Sequence, residues 1–292
     1  MVNPQKRKSV DVAAESAAPL RKLKTLLDVA GACAFGVAKA ETVPLQQWCR
    51  FQKWLDSGMH AGMTYMERWP ESRRDPRLLL HGARSVISIA FNYRQPNPYP
   101  EIATYALGED YHKVLRRRLK SVVKELSDEF GGQWRICIDS APILERYWAL
   151  KCGIGFRSPV HGNIVVPRVG SMVFLAELIT TLECNLKGTV SSDNVVETSG
   201  AYERDAGAGV CPTGALQSDG TVDSNRCINY LTIEKREPLS DEEREMCGHA
   251  VFGCDICQRV CSENKSPYPG VLPEFTPMPG LEDFLNGEKG EF

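Results

Sequence analysis

Five cysteines towards the C-terminal end stand at intervals that suit a metal–sulfur group. Cys211 is followed by Pro212, Cys227 comes sixteen residues later, and Cys254, Cys257 and Cys261 form a Cys-x-x-Cys-x-x-x-Cys run. Thiolates so spaced hold iron–sulfur clusters; in bacterial two-cluster runs, three cysteines two residues apart bind one cluster and a fourth, followed by proline, crosses to the other. Cys211-Pro212 reads as such a fourth cysteine. Counting back at that spacing reaches Gly207, Arg204 and Ala201, so one set of three is missing. Cys211, Cys227, Cys254 and Cys257 still supply four thiolates, and Cys261 is left as a crossover ligand without its set. One [4Fe–4S] cluster is expected where the pattern provides for two. A closed zinc site of four cysteines is the alternative, although the Cys-Pro piece and the Cys254–Cys261 run match cluster spacing better. Cys247 is near enough in sequence to substitute as a ligand. Cys33, Cys137, Cys152 and Cys184 lie in apolar runs and read as small core residues.

The elements that must position chemistry lie upstream. Ser85 to Tyr93 is an almost continuous apolar, β-branched run, the pattern of a buried strand. A helix follows from about Asp110 to Leu126, with Leu115, Leu119, Val122 and Leu126 on one face and Lys113, Arg117, Lys120 and Lys124 on the other. That basic stripe is either a solvated face or a set of phosphate contacts. Trp134 to Ile138 alternates like a strand, and Asp139-Ser140 stands at its end. Ser140 suits an N-cap and Pro142 a first turn, which predicts a helix to Lys151 stopped by Gly153. Asp139 is then an ordinary capping residue or a site acid, since ligands are often met at strand ends ahead of helices. Further helices are expected from Leu20 to Ala30 and from Pro44, where Leu45, Trp48, Phe51, Trp54 and Leu55 form an apolar stripe. Met59 to Met66 offers methionines as core filler or as the floor of a pocket for a flat ligand. Asn163 to Pro167 and Ser171 to Thr180 read as two strands joined by a turn at Arg168-Val169-Gly170.

Composition sets the frame. With 42% apolar and 25% charged residues in 292, the chain is globular, and its length allows a large unit and a smaller one. Eleven cysteines without a secretory leader point to a reducing compartment. No apolar run approaches the length of a bilayer span. A formal net charge of −2 argues against broad, non-specific nucleic-acid binding but leaves room for a local basic groove. The expected organisation is a tail over 1–18, a large unit over 19–185, a cysteine-bearing unit over 186–265 whose start, Leu186 to Gly209, is loop-like, and a surface tail over 266–292.

Four runs in order resemble the bacterial epoxyqueuosine reductase family: Tyr105 to Arg116, Asp139-Ser-Ala-Pro-Ile-Leu-Glu-Arg146, Cys227-Ile-Asn-Tyr-Leu-Thr-Ile-Glu234 and Phe252 to Cys261. The similarity spans roughly residues 20–265. It implies an α/β (α+β) architecture, a nitroreductase-like cobalamin-binding domain followed by a ferredoxin-like iron–sulfur domain. It also implies cobalamin-dependent reduction of epoxyqueuosine to queuosine at the tRNA wobble position. By the same resemblance Asp139 is the proton donor, Met63, Tyr111, His112, Ser140 and Gly155 are cobalamin neighbours, and the basic stripe is a tRNA contact. The implied partners are a tRNA anticodon loop and a low-potential electron donor, for a monomeric cytoplasmic protein that does not enter a membrane.

The chain departs from the family pattern at Ala201, Arg204 and Gly207, at Ser262 where proline is usual, and at Thr104 where arginine is usual. It departs again at Gly155 to Pro159, in place of a Gly-Trp-x-Gly-Lys run. The helical-repeat extension of longer members has no counterpart here. These departures keep two other readings in play: a redox-impaired relative that binds cobalamin or tRNA, and a cobalamin-dependent reductase of another small substrate.

Overall fold

A four-stranded sheet forms the middle layer, with helices on both faces. The computed structural model describes residues 17–184, 209–265 and 271–285. The expected N-terminal tail, all but its last residues, the Leu186 to Gly209 loop, nearly all of it, and the positions Ala201, Arg204 and Gly207 lie outside the described residues. The chain runs through α1 (Ala17–Ala30), β1 (Ala34–Lys39), α2 (Leu45–Asp56), α3 (Pro70–Arg74), β2 (Ser85–Asn92), α4 (Tyr111–Phe130), β3 (Trp134–Cys137) and α5 (Glu145–Lys151). A short pair, β4 (Phe156–Arg157) and β5 (Ile164–Val165), precedes β6 (Val173–Thr180). The sheet order is β1-β2-β6-β3, and every neighbouring pair is antiparallel. The architecture is therefore α+β, and the strand-end rule that drew attention to Asp139, which belongs to parallel sheets, does not apply.

Every residue of β2 is buried, as an uninterrupted apolar run demands of a strand covered on both sides. The two-residue period splits it: Ile87, Ile89 and Phe91 meet α1 and α4, while Val86 and Ala90 face α5. Helix α4 answers with Val114, Leu115, Leu119, Val122 and Leu126, all buried. Burial of each such side chain is worth roughly 1.5–3 kcal/mol. On the other face α5 is buried from Tyr147 to Lys151. There β1 needs glycine: a Cβ on Gly36 would lie 2.0 Å from the carbonyl oxygen of Cys152.

Four expectations need correction. Helix α5 begins at Glu145, not Ser140, because Asp139 takes a left-handed φ of 50° and the next residues turn before the helix starts. Leu45 is 64% exposed, and of the α2 stripe Trp48 is buried while Phe51, Trp54 and Leu55 are half-buried. The Ile164–Val165 strand pairs with Phe156–Arg157 rather than with β6; the turn after it closes through Val166 and Gly170. Residues 271–285 are no surface tail: Val271, Leu272 and Phe275 pack into the main core, Leu281 is buried, and Glu274 binds Arg118 at 2.8 Å.

The cysteine-bearing segment carries α6 (Ile228–Ile233), α7 (Asp241–Cys247) and α8 (Ile256–Arg259), around a small core of Ile228, Tyr230, Leu231 and Cys247. It is fastened to the first unit by backbone bonds from Ser224 to Met59 (2.8 Å) and from Ala103 to Phe252 (2.8 Å), and by the Gly62 N–H to the Tyr230 hydroxyl (2.9 Å).

Candidate functional site

The site is assembled at the edge of the sheet from two short stretches of chain. Asp110 caps α4: its carboxylate accepts from the His112 N–H at 2.9 Å. The same oxygen lies 2.9 Å from His112 Nδ1, and His112 Nε2 lies 3.1 Å from Asp139 Oδ2. The imidazole thus bridges two carboxylates. Its pKa is raised, first by the hydrogen bond to Asp139, against the opposing effect of burial, and then by Asp110. Tyr111 stacks on His112 with ring centroids 4.0 Å apart, and on Phe174 of β6 at 4.2 Å. The Asp139 turn is held from behind, where its N–H donates to Glu145 Oε1 at 2.7 Å.

Of these groups Tyr111, Phe174, Asp139 and Glu145 line a cavity whose empty space, about 620 Å³, includes its mouth to solvent. Tyr93, Tyr111 and Phe174 give it aromatic walls, and Asp139, Glu145 and Arg146 supply charge. Gln258, the residue after Cys257, lines the same cavity with Ser171, whose hydroxyl donates to Gln258 Oε1 at 3.0 Å. Gln258 in turn donates to the Tyr93 hydroxyl at 3.2 Å.

Four of the five spaced cysteines influence one another electrostatically. Burial pushes the Cys257 thiol up to about 12, and the thiols of Cys254, Cys227 and Cys211 add to the shift, which puts all four within electrostatic reach of one another. Burial works against ionisation of Cys211 too, yet hydrogen bonds from Thr213, Ala215 and Leu216 outweigh it and lower its pKa. Cys261 is buried apart, with its Sγ 3.2 Å from Glu263 Oε2. Among the described residues no three His, Cys, Asp or Glu side chains are gathered tightly enough to hold a single metal ion. Arg146 stands between the two halves: burial lowers its pKa, and it feels Glu145, Cys257, Asp139 and Cys227.

Of the other expected site residues, Tyr111 lines the cavity and His112 binds Asp139. Ser140 is the next residue along. Gly155 abuts Val165, where a Cβ would come 2.3 Å from the carbonyl oxygen. Met63 packs instead against the small core around Tyr230 and Cys247. Cys247 belongs to that core and is raised by burial, as are Cys33, Cys137 and Cys184, so it serves packing. Lys113, Arg117, Lys120 and Lys124 are all exposed. Three face carboxylates: Lys113 with Asp110 (3.7 Å), Arg117 with Glu274 (3.1 Å) and Lys124 with Asp128 (2.6 Å). Thr104 is buried and binds Asp255, inside the Cys254–Cys257 pair, at 2.6 Å. Glu145, Arg146 and Gln258 went unassigned in the sequence reading. Each sits inside a run quoted for the resemblance, which was the available signal.

Comparison with known proteins agrees with this geometry. Residues 73–140 match the family model described as epoxyqueuosine reductase QueG, DUF1730, and residues 208–264 match a 4Fe-4S double cluster binding domain. The epoxyqueuosine reductase of Cyclobacterium marinum is 38% identical over 85% of this chain and 79% of its own length, and that of Cellulophaga algicola 36% identical over 86% and 81%. A crystal structure of epoxyqueuosine reductase with an epoxyqueuosine-modified tRNA-Tyr stem loop superposes with a TM-score of 0.79 at 28% identity, covering 91% of this chain and 70% of that one. A Bacillus subtilis epoxyqueuosine reductase, solved with its catalytic aspartate loop swung out of the active site, gives 0.78 at 28% identity, covering 91% and 70%. With relatives this similar over this length, the chain belongs to the epoxyqueuosine reductase family.

Proposed function

We propose that the protein reduces epoxyqueuosine to queuosine at the wobble position of tRNA, with cobalamin in the cavity and one [4Fe–4S] cluster on Cys211, Cys227, Cys254 and Cys257. The observation that carries this reading is the shared wall: Asp139 and Gln258, the neighbour of Cys257, line one cavity. Aromatic faces at Tyr93, Tyr111 and Phe174 with polar groups between them suit a large, flat, polar-edged ligand. When bound, cobalamin and cluster supply electrons at low potential. Gln258 makes the path from thiols to cavity short, so the retained thiols are the set that serves the site.

The chain's own residues handle the proton and the substrate. Asp139, as the acid, protonates the epoxide oxygen as its C–O bond opens. His112 orients that carboxyl from one side and the Glu145 bond to its N–H holds the turn from the other. A wobble base is available to such a pocket because anticodon-loop bases can be splayed out of the stack. The neutralising carboxylates leave Lys120 as the stripe's cation without an ion pair among the described residues, so the stripe contributes only part of the tRNA grip. No described helix is long and apolar enough to cross a membrane. A monomeric cytoplasmic enzyme fed by a low-potential donor completes the proposal.

The test is conversion of epoxyqueuosine-containing tRNA by protein reconstituted anaerobically with iron, sulfide and cobalamin. Asp139→Asn is expected to cut turnover by about 10²- to 10⁴-fold, the range a positioned proton donor contributes, with iron content and tRNA affinity preserved. Unchanged turnover would remove Asp139 from the chemistry.

A further inference from the structure

Opening an epoxide to an alkene consumes two protons, and the cavity wall offers one residue placed as the acid. Both C–O bonds break, a C=C bond and two O–H bonds form, and the oxygen leaves as water. The two electrons come from a one-electron donor protein acting twice. Asp139 gives the first proton and must regain one to release water. This inference rests on the proposed function.

We propose that Glu145, backed by Glu177, is the positioning residue that returns a proton to Asp139 within each turnover. Glu145 lines the same cavity as Asp139 and is tied to its turn by the 2.7 Å bond from the Asp139 N–H. Behind it lies a second carboxyl. Glu177 is opposite Ser88 in the register of β2 and β6, on the face that packs against α5. It is completely buried; Ser88 Oγ donates to its Oε1 at 3.0 Å, and its Oε2 has no hydrogen-bond partner. A carboxyl fully enclosed in the sheet with one oxygen unpartnered costs stability as an anion, so it stays protonated.

The electrostatics agree with the geometry. Burial, with the Asp139 carboxylate adding to it, raises Glu145 to about 7, so near neutral pH it both holds and yields a proton. Burial raises Glu177 well above the carboxylate range, with Glu145 adding to the shift. The groups facing Glu145 are Asp139 on its turn, Arg146 on its own helix, His112 and Tyr111 on α4, Arg73 on α3, Cys137 on β3 and Glu177 on β6. Arg146 and His112 pull the Glu145 value down and Asp139 pushes it up, which leaves it poised in the middle of the physiological range. Glu145 keeps its proton near neutral pH beside Asp139, and once Asp139 has given its own, a water in the cavity can carry the Glu145 proton to the vacated carboxylate.

The experiment pairs infrared spectroscopy with the pH profile of turnover. In the wild-type protein a protonated-carboxyl band should titrate near neutral pH. Glu145→Gln, whose amide oxygen can still accept from the Asp139 N–H, should lose that band, lower kcat by about 100-fold with KM for tRNA unchanged, and abolish the alkaline limb of the profile. Glu145→Asp should restore part of the rate and the limb. Glu177→Gln keeps the shape of the buried site and is neutral like the protonated carboxyl it replaces, so it should leave the Glu145 band in place while lowering kcat. A wild-type protein with no titrating band, or Glu145→Gln protein with the wild-type rate and limb, overturns the proposal. A protein that shows the band yet converts no epoxyqueuosine-containing tRNA overturns the proposed function instead, and this proton destination with it.

Discussion

Asp139 stands in the left-handed region at φ 50°, a conformation that costs a non-glycine residue about 1–2 kcal/mol. Three contacts hold it there: Glu145 on its N–H, His112 on its carboxylate, and through His112 the Asp110 cap of α4. The bridge has a pH signature with a definite sign. Because His112 binds protons more tightly in the folded protein than at its ordinary 6.5, its contribution to stability is complete below that value and is lost as pH rises through the raised one. An NMR titration of His112 should therefore show a midpoint above 6.5, and Asp110→Asn should bring that midpoint down. A midpoint at or below the ordinary value would show that the bridge is not made in solution.

At the scale of elements, the segment over 271–285 is fastened onto the first unit by very close packing. A Cβ on Gly108 would lie 2.4 Å from the Glu274 carbonyl oxygen and from the Phe275 Cα, both backbone atoms that cannot swing aside. One residue on, Glu109 N–H donates to the Glu274 carbonyl at 2.7 Å, and the Glu274 carboxylate takes both Arg117 and Arg118. Gly108→Ala should cost about 1–3 kcal/mol, the usual penalty of overpacking, seen as a lower midpoint in denaturant. Faster proteolysis within 271–285 should accompany it. If the midpoint stays put, the segment does not dock as described.

For the whole molecule, the two sequence-distant units meet at the cavity, where Gln258 lies beside the proposed cluster ligand Cys257. Cys254→Ser or Cys257→Ser should lower reconstituted iron well below the roughly four atoms of a [4Fe–4S] cluster. Cys261→Ser, whose thiol lies apart beside Glu263, should leave the iron count near its wild-type value. Equal losses in all three variants would mean that Cys261 is a ligand and that the division of the thiols is wrong.

The sequence alone determined whatever depends on spacing and periodicity. The all-buried β2 and the apolar face of α4 with Leu115, Leu119, Val122 and Leu126 follow from local rules of side-chain direction, which hold wherever the segment sits. The quoted runs also carried the family. Only the tertiary structure decided what depends on distance across the chain. The antiparallel strand order, the burial of residues 271–285 and the start of α5 at Glu145 are set by what each segment packs against. Gln258 lies 119 residues from Asp139 in the numbering, yet both line one cavity. Glu177, which reads as a lone charge in an apolar strand, acquires a role only from the fold, because β6 lies between β2 and β3 and turns that carboxyl towards α5. The basic stripe shows the same limit from the other side: its spacing is visible in the sequence, but the carboxylates that neutralise it include Glu274, brought back by a segment more than 140 residues away in the chain.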